Sequence, residues 1–312
     1  MNGIEGLKES SLKLILFGGK GGVGKTTCAS GTALYLAESF RTLLFSTDPA
    51  HSIADSLGQK IGNEPEEIKG IENLSALEIN AEKALGEFKT EHQDEIKKIL
   101  ETGTNLDVED VESVFALPIP GMDEVMGFKT MIDLIDEAKF DKYIVDTAPT
   151  GHALRLITSP RLLDDWVKVM AKMRWKYRYM IERFAGKYNP DKSDDFLLTM
   201  KKTVKRIEAL LHDPSRSEFI AVTIPEDMAV LETERLIKSL GKSGIKVRQL
   251  VINNVLQSDG CEFCREKRKS QDKYINYIKE KFNDLKLTTV SSCPHEIKGQ
   301  KALAYFKNQL FN

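Results

Sequence analysis

Short apolar runs recur along the chain, most of them closed by Gly, Pro or Asp and followed by a segment with helical spacing. They are Leu12–Phe17, Thr42–Thr47, Lys142–Val145, Phe219–Ile224, Val247–Ile252 and Leu287–Ser291. Unbroken apolar runs predict strands buried on both faces, and their alternation with helices predicts an α/β fold. The expected architecture is a mostly parallel, doubly wound sheet flanked by helices. Ligands of such sheets bind outside the carboxyl ends of the strands, so chemistry is sought just after each run.

Two stretches depart from this alternation. Residues 81–138 and 161–213 have helical spacing, broken at Thr102–Thr104, at Pro118-Ile119-Pro120-Gly121 and near Gly186–Ser193. They predict a helical subdomain inserted into one α/β domain that spans residues 1–312.

After the first run comes Gly18-Gly19-Lys20-Gly21-Gly22-Val23-Gly24-Lys25-Thr26-Thr27, which opens a helix. It satisfies Gly-x4-Gly-Lys-Thr in the required strand-to-helix context. Glycines there let backbone N–H groups wrap phosphates, and the helix N-terminus adds a favourable dipole. The spacing assigns Lys25 to the β- and γ-phosphates of ATP, or to the β-phosphate of ADP, and gives Thr26 as a hydroxyl ligand to Mg²⁺. Two aspartates end later strands: Asp48, followed by Pro49-Ala50-His51-Ser52, and Asp146, followed by Thr147-Ala148-Pro149-Thr150-Gly151-His152. Carboxylates at strand ends beside a phosphate loop are placed to hold the water shell of magnesium or the attacking water.

Lys20, inside the loop and ahead of a glycine pair, is an additional lysine. With it the motif resembles that of the family containing the nitrogenase iron protein, the Min and Par partitioning ATPases, the arsenite-pump ATPase and the tail-anchored-protein targeting ATPase. The resemblance implies that Lys20 reaches across a homodimer interface to the partner's nucleotide. It also gives Asp48 the water-orienting role of switch I and Asp146 the Mg²⁺-linked role, through water, at the start of switch II.

Asp48-Pro-Ala-His-Ser52 and Asp146-Thr-Ala-Pro-Thr-Gly-His-Ala-Leu-Arg155 are similar to the arsenite-pump and tail-anchored-targeting branch. Pro225-Glu226, Glu232-Thr233-Glu234-Arg235, Ile252-Asn253-Asn254 and Glu296-Ile297-Lys298-Gly299 extend that likeness over nearly the whole chain. It implies that Glu226 joins the shared nucleotide site and that Asn253 and the loop at Pro294 contact adenine. Ser292-Cys293-Pro294-His295 stands where the family usually carries a Pro-Leu pair.

Of four cysteines, Cys261 and Cys264 form a Cys-x-x-Cys pair. One pair supplies half of a tetrahedral zinc site, which two copies in a symmetric dimer complete as one Zn²⁺ per dimer. A redox dithiol is the rival reading, although the pair does not open the first helix of a thioredoxin-like unit. The targeting branch resembles the shared-zinc arrangement. The arsenite-pump branch uses cysteines near switch II, and this chain has none between Cys28 and Cys261.

Seven of nine methionines lie between Met122 and Met200, within the helical stretches. Trp166, Met170, Met173, Tyr177, Met180 and Phe184 share one helix face. Such a stripe reads as core or as a groove. Methionine adapts to varied apolar partners, and its concentration here points to a groove that also includes Met122 and Met126. Two such surfaces in a dimer would cradle an apolar helix of about 20 residues, the length that spans a bilayer. By resemblance this is the client of the targeting branch: a hydrophobic helical segment of a membrane protein, passed on to a membrane receptor. The alternative is the subunit that drives an arsenite or antimonite pump.

A net charge of −2, from 45 basic and 47 acidic residues, supplies no basic field for nucleic acid. The polar start Met1–Ser11 lacks the features of a secretory signal, and four cysteines do not make a disulfide framework. A cytoplasmic protein is expected.

Overall fold

The computed structural model describes residues 4–46, 52–104, 107–116, 122–147, 150–257 and 260–311. They divide into two compact units, one formed by residues 4–80, 134–157 and 210–311 and the other by 81–133 and 158–209, less the undescribed positions.

The first unit is built on a sheet of eight strands: β1 (Leu14–Gly18), β2 (Thr42–Ser46), β3 (Glu66–Glu67), β4 (Leu74–Glu78), β5 (Lys142–Asp146), β6 (Ser217–Thr223), β7 (Val247–Val255) and β8 (Lys286–Ser291). Their order is β3-β4-β2-β5-β1-β6-β7-β8, and every neighbouring pair is parallel except β3 with β4. All residues of β1, β2, β4, β5 and β6 are buried, as strands covered on both faces require. Two strands escape the sequence reading. Leu74-Ser-Ala-Leu-Glu78 has no β-branched residue and no alternation, and β3 is only two exposed residues long.

Helices α1 (Lys25–Ala37), α2 (Ser52–Leu57), α9 (Asp227–Lys242), α10 (Glu262–Lys281) and α11 (Gly299–Phe311) belong to this unit. One core joins Ile15, Phe17, Leu44, Ile144, Val222 and Val251 from the sheet to Cys28, Ala33 and Leu36 of α1 and Leu303, Phe306 and Leu310 of α11. The Tyr35 ring stacks on Phe311 at 3.9 Å between centroids, closing the contact between these helices.

The second unit is helical: α3 (Ala81–Glu91), α4 (Gln93–Gly103), α5 (Val108–Ala116) and most of α6 (Met122–Asp136), α7 (Thr150–Ala185) and α8 (Lys192–His212). Its core gathers Phe88, Ile99, Val111, Met126, Leu163, Val167, Met170, Phe196 and Met200. Arg174 of α7 is only 3% exposed and is held by Asp191 at 2.5 Å and Asp194 at 3.1 Å. Two carboxylates compensate a guanidinium taken out of water and pin the start of α8 to α7. No helix among the described residues is long and apolar enough to cross a membrane.

Candidate nucleotide site

β1 delivers the chain into the glycine-rich loop at the carboxyl edge of the sheet, beside β5 and β6. Gly19 lies so close to β6 that a Cβ there would collide with the Val222 carbonyl oxygen. Gly24 caps α1 with φ 93°, and a Cβ on it would meet the side-chain amide of Asn253. That amide donates to Val23 O at 2.9 Å, so the end of β7 braces the turn into α1. Gly21 and Gly22 are exposed, which leaves the loop's backbone open to a ligand.

Lys25 is 6% exposed, and its ammonium donates to Lys20 O at 3.2 Å, curling over the loop's backbone. The Thr26 hydroxyl donates to Asp146 Oδ2 at 2.7 Å, joining the first turn of α1 to the end of β5. Thr147 then fixes the exit of β5: its N–H and hydroxyl both donate to Phe17 O, at 3.3 and 2.7 Å. Sequence reading gave Thr147 no role, since a threonine after a strand carries no signal of its own.

Thus Gly18 to Thr27, Asp146 and Asn253 come together. A hydroxyl and a carboxylate within hydrogen-bond distance, next to a phosphate-binding loop, form the hard-oxygen donor set that suits Mg²⁺. Lys20 points to α9, its ammonium 3.8 Å from Glu232 Oε1. Glu226 is exposed at the N-cap of α9, and Pro294 is exposed between β8 and α11. Asp48 lies outside the described residues.

The comparisons with known proteins follow this geometry. Residues 12–312 match the family model described as anion-transporting ATPase. The chain belongs to that family. It is 36% identical to ATPase ASNA1 homolog 1 of Paramecium tetraurelia over 96% of this chain and 92% of that protein. It is 33% identical to ATPase asna-1 of Caenorhabditis elegans over 97% and 94%. Against ATPase get3 of Schizosaccharomyces japonicus the identity is 32%, over 98% and 94%. As a member of the ATPase family, the chain hydrolyses ATP.

Two further groups in this ATPase carry candidate chemistry. Cys261 caps α10, its sulfur accepting the Cys264 N–H at 3.1 Å, and the two sulfurs lie 2.7 Å apart. The hydrogen bond between the sulfurs holds the Cys261 thiol below its ordinary range and raises that of Cys264. Among the described residues no group of three or more His, Cys, Asp or Glu side chains is gathered as a metal site. By contrast, burial pushes the Cys28 thiol up, which makes it an inert core side chain.

The expected groove divides when placed on the helices. Met126 and Met170 are core, 1% and 3% exposed, and this corrects their reading as groove residues. Trp166 and Met173 pack half-buried on that core. The reason is tertiary: Leu163, Val167, Met170 and Arg174 turn inward, so the stripe straddles the buried edge of α7. Towards the end of the helix large apolar side chains are open to solvent on more than one side. Trp175 is 67% exposed, Met180 47% and Phe184 84%, with Trp175 stacked on an exposed Tyr179. The Met122 side chain lies outside the described residues.

Proposed function

We propose that this ATPase is a homodimeric carrier that shields hydrophobic transmembrane segments of tail-anchored membrane proteins in the cytoplasm and releases them in a nucleotide-dependent cycle. The observation that carries the reading is the set of large apolar side chains left in solvent at the end of α7, Trp175, Tyr179, Met180 and Phe184, on a helical unit joined to an ATP-hydrolysing one. Exposed aromatic and methionine side chains, Trp175 with Tyr179 on one side of the helix and Met180 with Phe184 on another, are what adaptable apolar-binding surfaces need. The inserted helices, about 81–138 and 161–213, are the client-binding subdomain in this reading.

In the proposed cycle the loop amides and Lys25 hold the phosphates of ATP, Asn253 and the Pro294 loop border adenine, and Glu226 faces the shared site. Thr26 and Asp146 are the oxygen donors that would hold Mg²⁺, which neutralises phosphate charge when bound. Asp48 orients a water in line with the γ-phosphate. The water oxygen bonds to phosphorus, the bond to the β-phosphate oxygen breaks, and ADP and phosphate leave. In the dimer Lys20 exchanges Glu232 for the partner's nucleotide. Loss of the γ-phosphate relaxes the segments after Asp48 and Asp146 and opens the groove to release the client, which passes to a membrane receptor. Cys261, exposed, and Cys264, half-buried, at a helix start, supply two of four thiolates for a Zn²⁺ shared between protomers.

Phe184→Asp and Trp175→Asp each place a charge on this surface without touching the nucleotide loop. Each is expected to lower retention of a fluorescently labelled apolar tail segment by at least about tenfold, since losing a buried aromatic contact costs about 1.5–3 kcal/mol. ATP turnover should stay within about twofold. Unchanged retention in both variants would remove the end of α7 from client binding. Stimulation of turnover by arsenite or antimonite would favour the pump subunit instead.

A further inference from the structure

The end of β7 is irregular at the residue that braces the nucleotide loop. Between Ile252 and Val255 the strand advances three residues while β8 advances two, from Thr289 to Ser291. The extra residue makes a bulge, and Asn254 sits in it at φ 58°, a left-handed conformation that asparagine tolerates better than most residues. Just before it stands Asn253, whose amide donates to Val23 O and lies against Gly24 in the turn into α1. A bulge re-aims the side chains around it, so the direction of Asn253 depends on this bulge keeping its shape.

One side chain supports it. Gln271 of α10 is 3% exposed. Its Nε2 donates to Asn254 O at 3.0 Å, and its Oε1 accepts the Leu256 N–H at 2.9 Å. Donating to one residue and accepting from the second residue along is how a neighbouring parallel strand pairs. Pairing of β7 with β6 ends at Ile252, and beyond it this buried amide stands in for a strand. Arg268, one turn earlier on α10, donates to Leu256 O and holds the same stretch to the helix.

We infer that Gln271 is a positioning residue for ATP binding: its amide locks the bulge after Ile252 and so aims Asn253 at the Val23–Gly24 turn of the nucleotide loop. The inference rests on that loop as the nucleotide site, a reading that Lys25→Ala and Gly19→Ala test on their own.

The physical basis lies in strand geometry. Without the amide, Asn254 loses the hydrogen bond that favours its left-handed form, and the extended form is free of that steric penalty. Relaxing the bulge shifts the strand by one residue and turns Asn253 away from the loop, because alternate residues face opposite sides. The loop supplies its own phosphate-binding amides, so binding should weaken without being abolished, and hydrolysis of bound ATP should be spared.

The test uses the full chain with Gln271→Met, Gln271→Glu, Asn253→Ala, and Gln271→Met combined with Asn253→Ala. Calorimetry with Mg²⁺ gives Kd for ATP well below each thermal midpoint, and single-turnover kinetics give the rate at saturating ATP. Gln271→Met, of similar size but without the amide, should raise Kd about three- to tenfold, the range expected for one or two hydrogen bonds, with the saturated rate within about twofold. Asn253→Ala should raise Kd at least as much. The double variant should match Asn253→Ala alone, because Gln271 acts through that side chain. A residue that only stabilises α10 would lower the thermal midpoint and leave Kd unchanged.

Should Gln271→Met not fold, Gln271→Glu gives the same comparison, since at pH 7 it still accepts the Leu256 N–H but has no proton to give Asn254 O. Wild-type Kd in the Gln271 variants overturns this inference alone, as do losses that multiply in the double variant or an unchanged Kd in Asn253→Ala. Wild-type Kd in both Lys25→Ala and Gly19→Ala overturns the nucleotide site and this inference with it.

Discussion

Lys25→Ala should lose both ATP affinity and turnover, whereas Asp48→Asn should keep the affinity and lose only the turnover. The Lys25 ammonium is nearly buried at the base of the loop, where in the proposed site its positive charge would meet the phosphates with little competing water. Removing one preorganised donor of this kind costs on the order of 3–4 kcal/mol in the transition state, roughly 100- to 1000-fold in rate. Some of that interaction also holds ground-state ATP, so Kd rises in the same variant. Asp48→Asn keeps shape but removes the carboxylate charge and turns one acceptor oxygen into a donor, so under the proposed water-orienting role it is expected to slow hydrolysis by on the order of 100-fold or more. Single-turnover kinetics and calorimetry on both variants separate the two roles. Equal affinity in wild type and Lys25→Ala would mean that the loop does not use this lysine.

The second large effect should come from adding a single methyl group. In Gly19→Ala the new Cβ runs into the Val222 carbonyl, part of a central strand that cannot step aside. In Gly24→Ala it meets the Asn253 amide, and it also places an L-residue at φ 93°. The left-handed conformation alone costs about 1–2 kcal/mol, and overpacking typically adds 1–3 kcal/mol. Both variants should fold with a lower thermal midpoint and bind ATP at least about tenfold more weakly. Gly24→Ala combined with Asn253→Ala should recover part of the loss in thermal midpoint, because the obstructing amide is gone, but not the ATP affinity, to which Asn253 is proposed to contribute at adenine. Gly19→Ala has no comparable rescue, its obstacle being backbone. Wild-type affinity in both single variants would contradict the loop geometry described above.

Much of this was legible in the residues. The loop motif and the long apolar runs carry local signals that tertiary context does not overturn, because a strand buried on both faces must be apolar throughout. β4 was not legible: Leu74-Ser-Ala-Leu-Glu78 is too short and too mixed for either period, and the neighbouring strands decide its fate. With β4 hidden, the burial of Glu78 is hidden as well. It becomes visible only once the start of α2 comes to lie against the end of β4, where Glu78 accepts the Ile53 and Ala54 N–H groups. Spacing also could not say which edge of the α7 stripe is core. Met170 and Met180 read alike in sequence, yet one is buried and the other open. Arg174 shows the same limit, since a helical arginine reads as solubilising until two aspartates near the start of α8 close on it.

The central claim is a nucleotide-controlled dimer that holds an apolar helix, and solution mass tests it most directly. Light scattering, with elemental analysis of the same fractions, should be performed on Asp48→Asn protein incubated with ATP, Mg²⁺ and a labelled apolar tail segment. The account predicts a particle of two chains or a multiple of two, one zinc per two chains, and segment co-eluting with it. In wild-type protein that has turned its ATP over, the segment should be gone. A single chain under all nucleotide conditions, with neither zinc nor segment, would contradict the account.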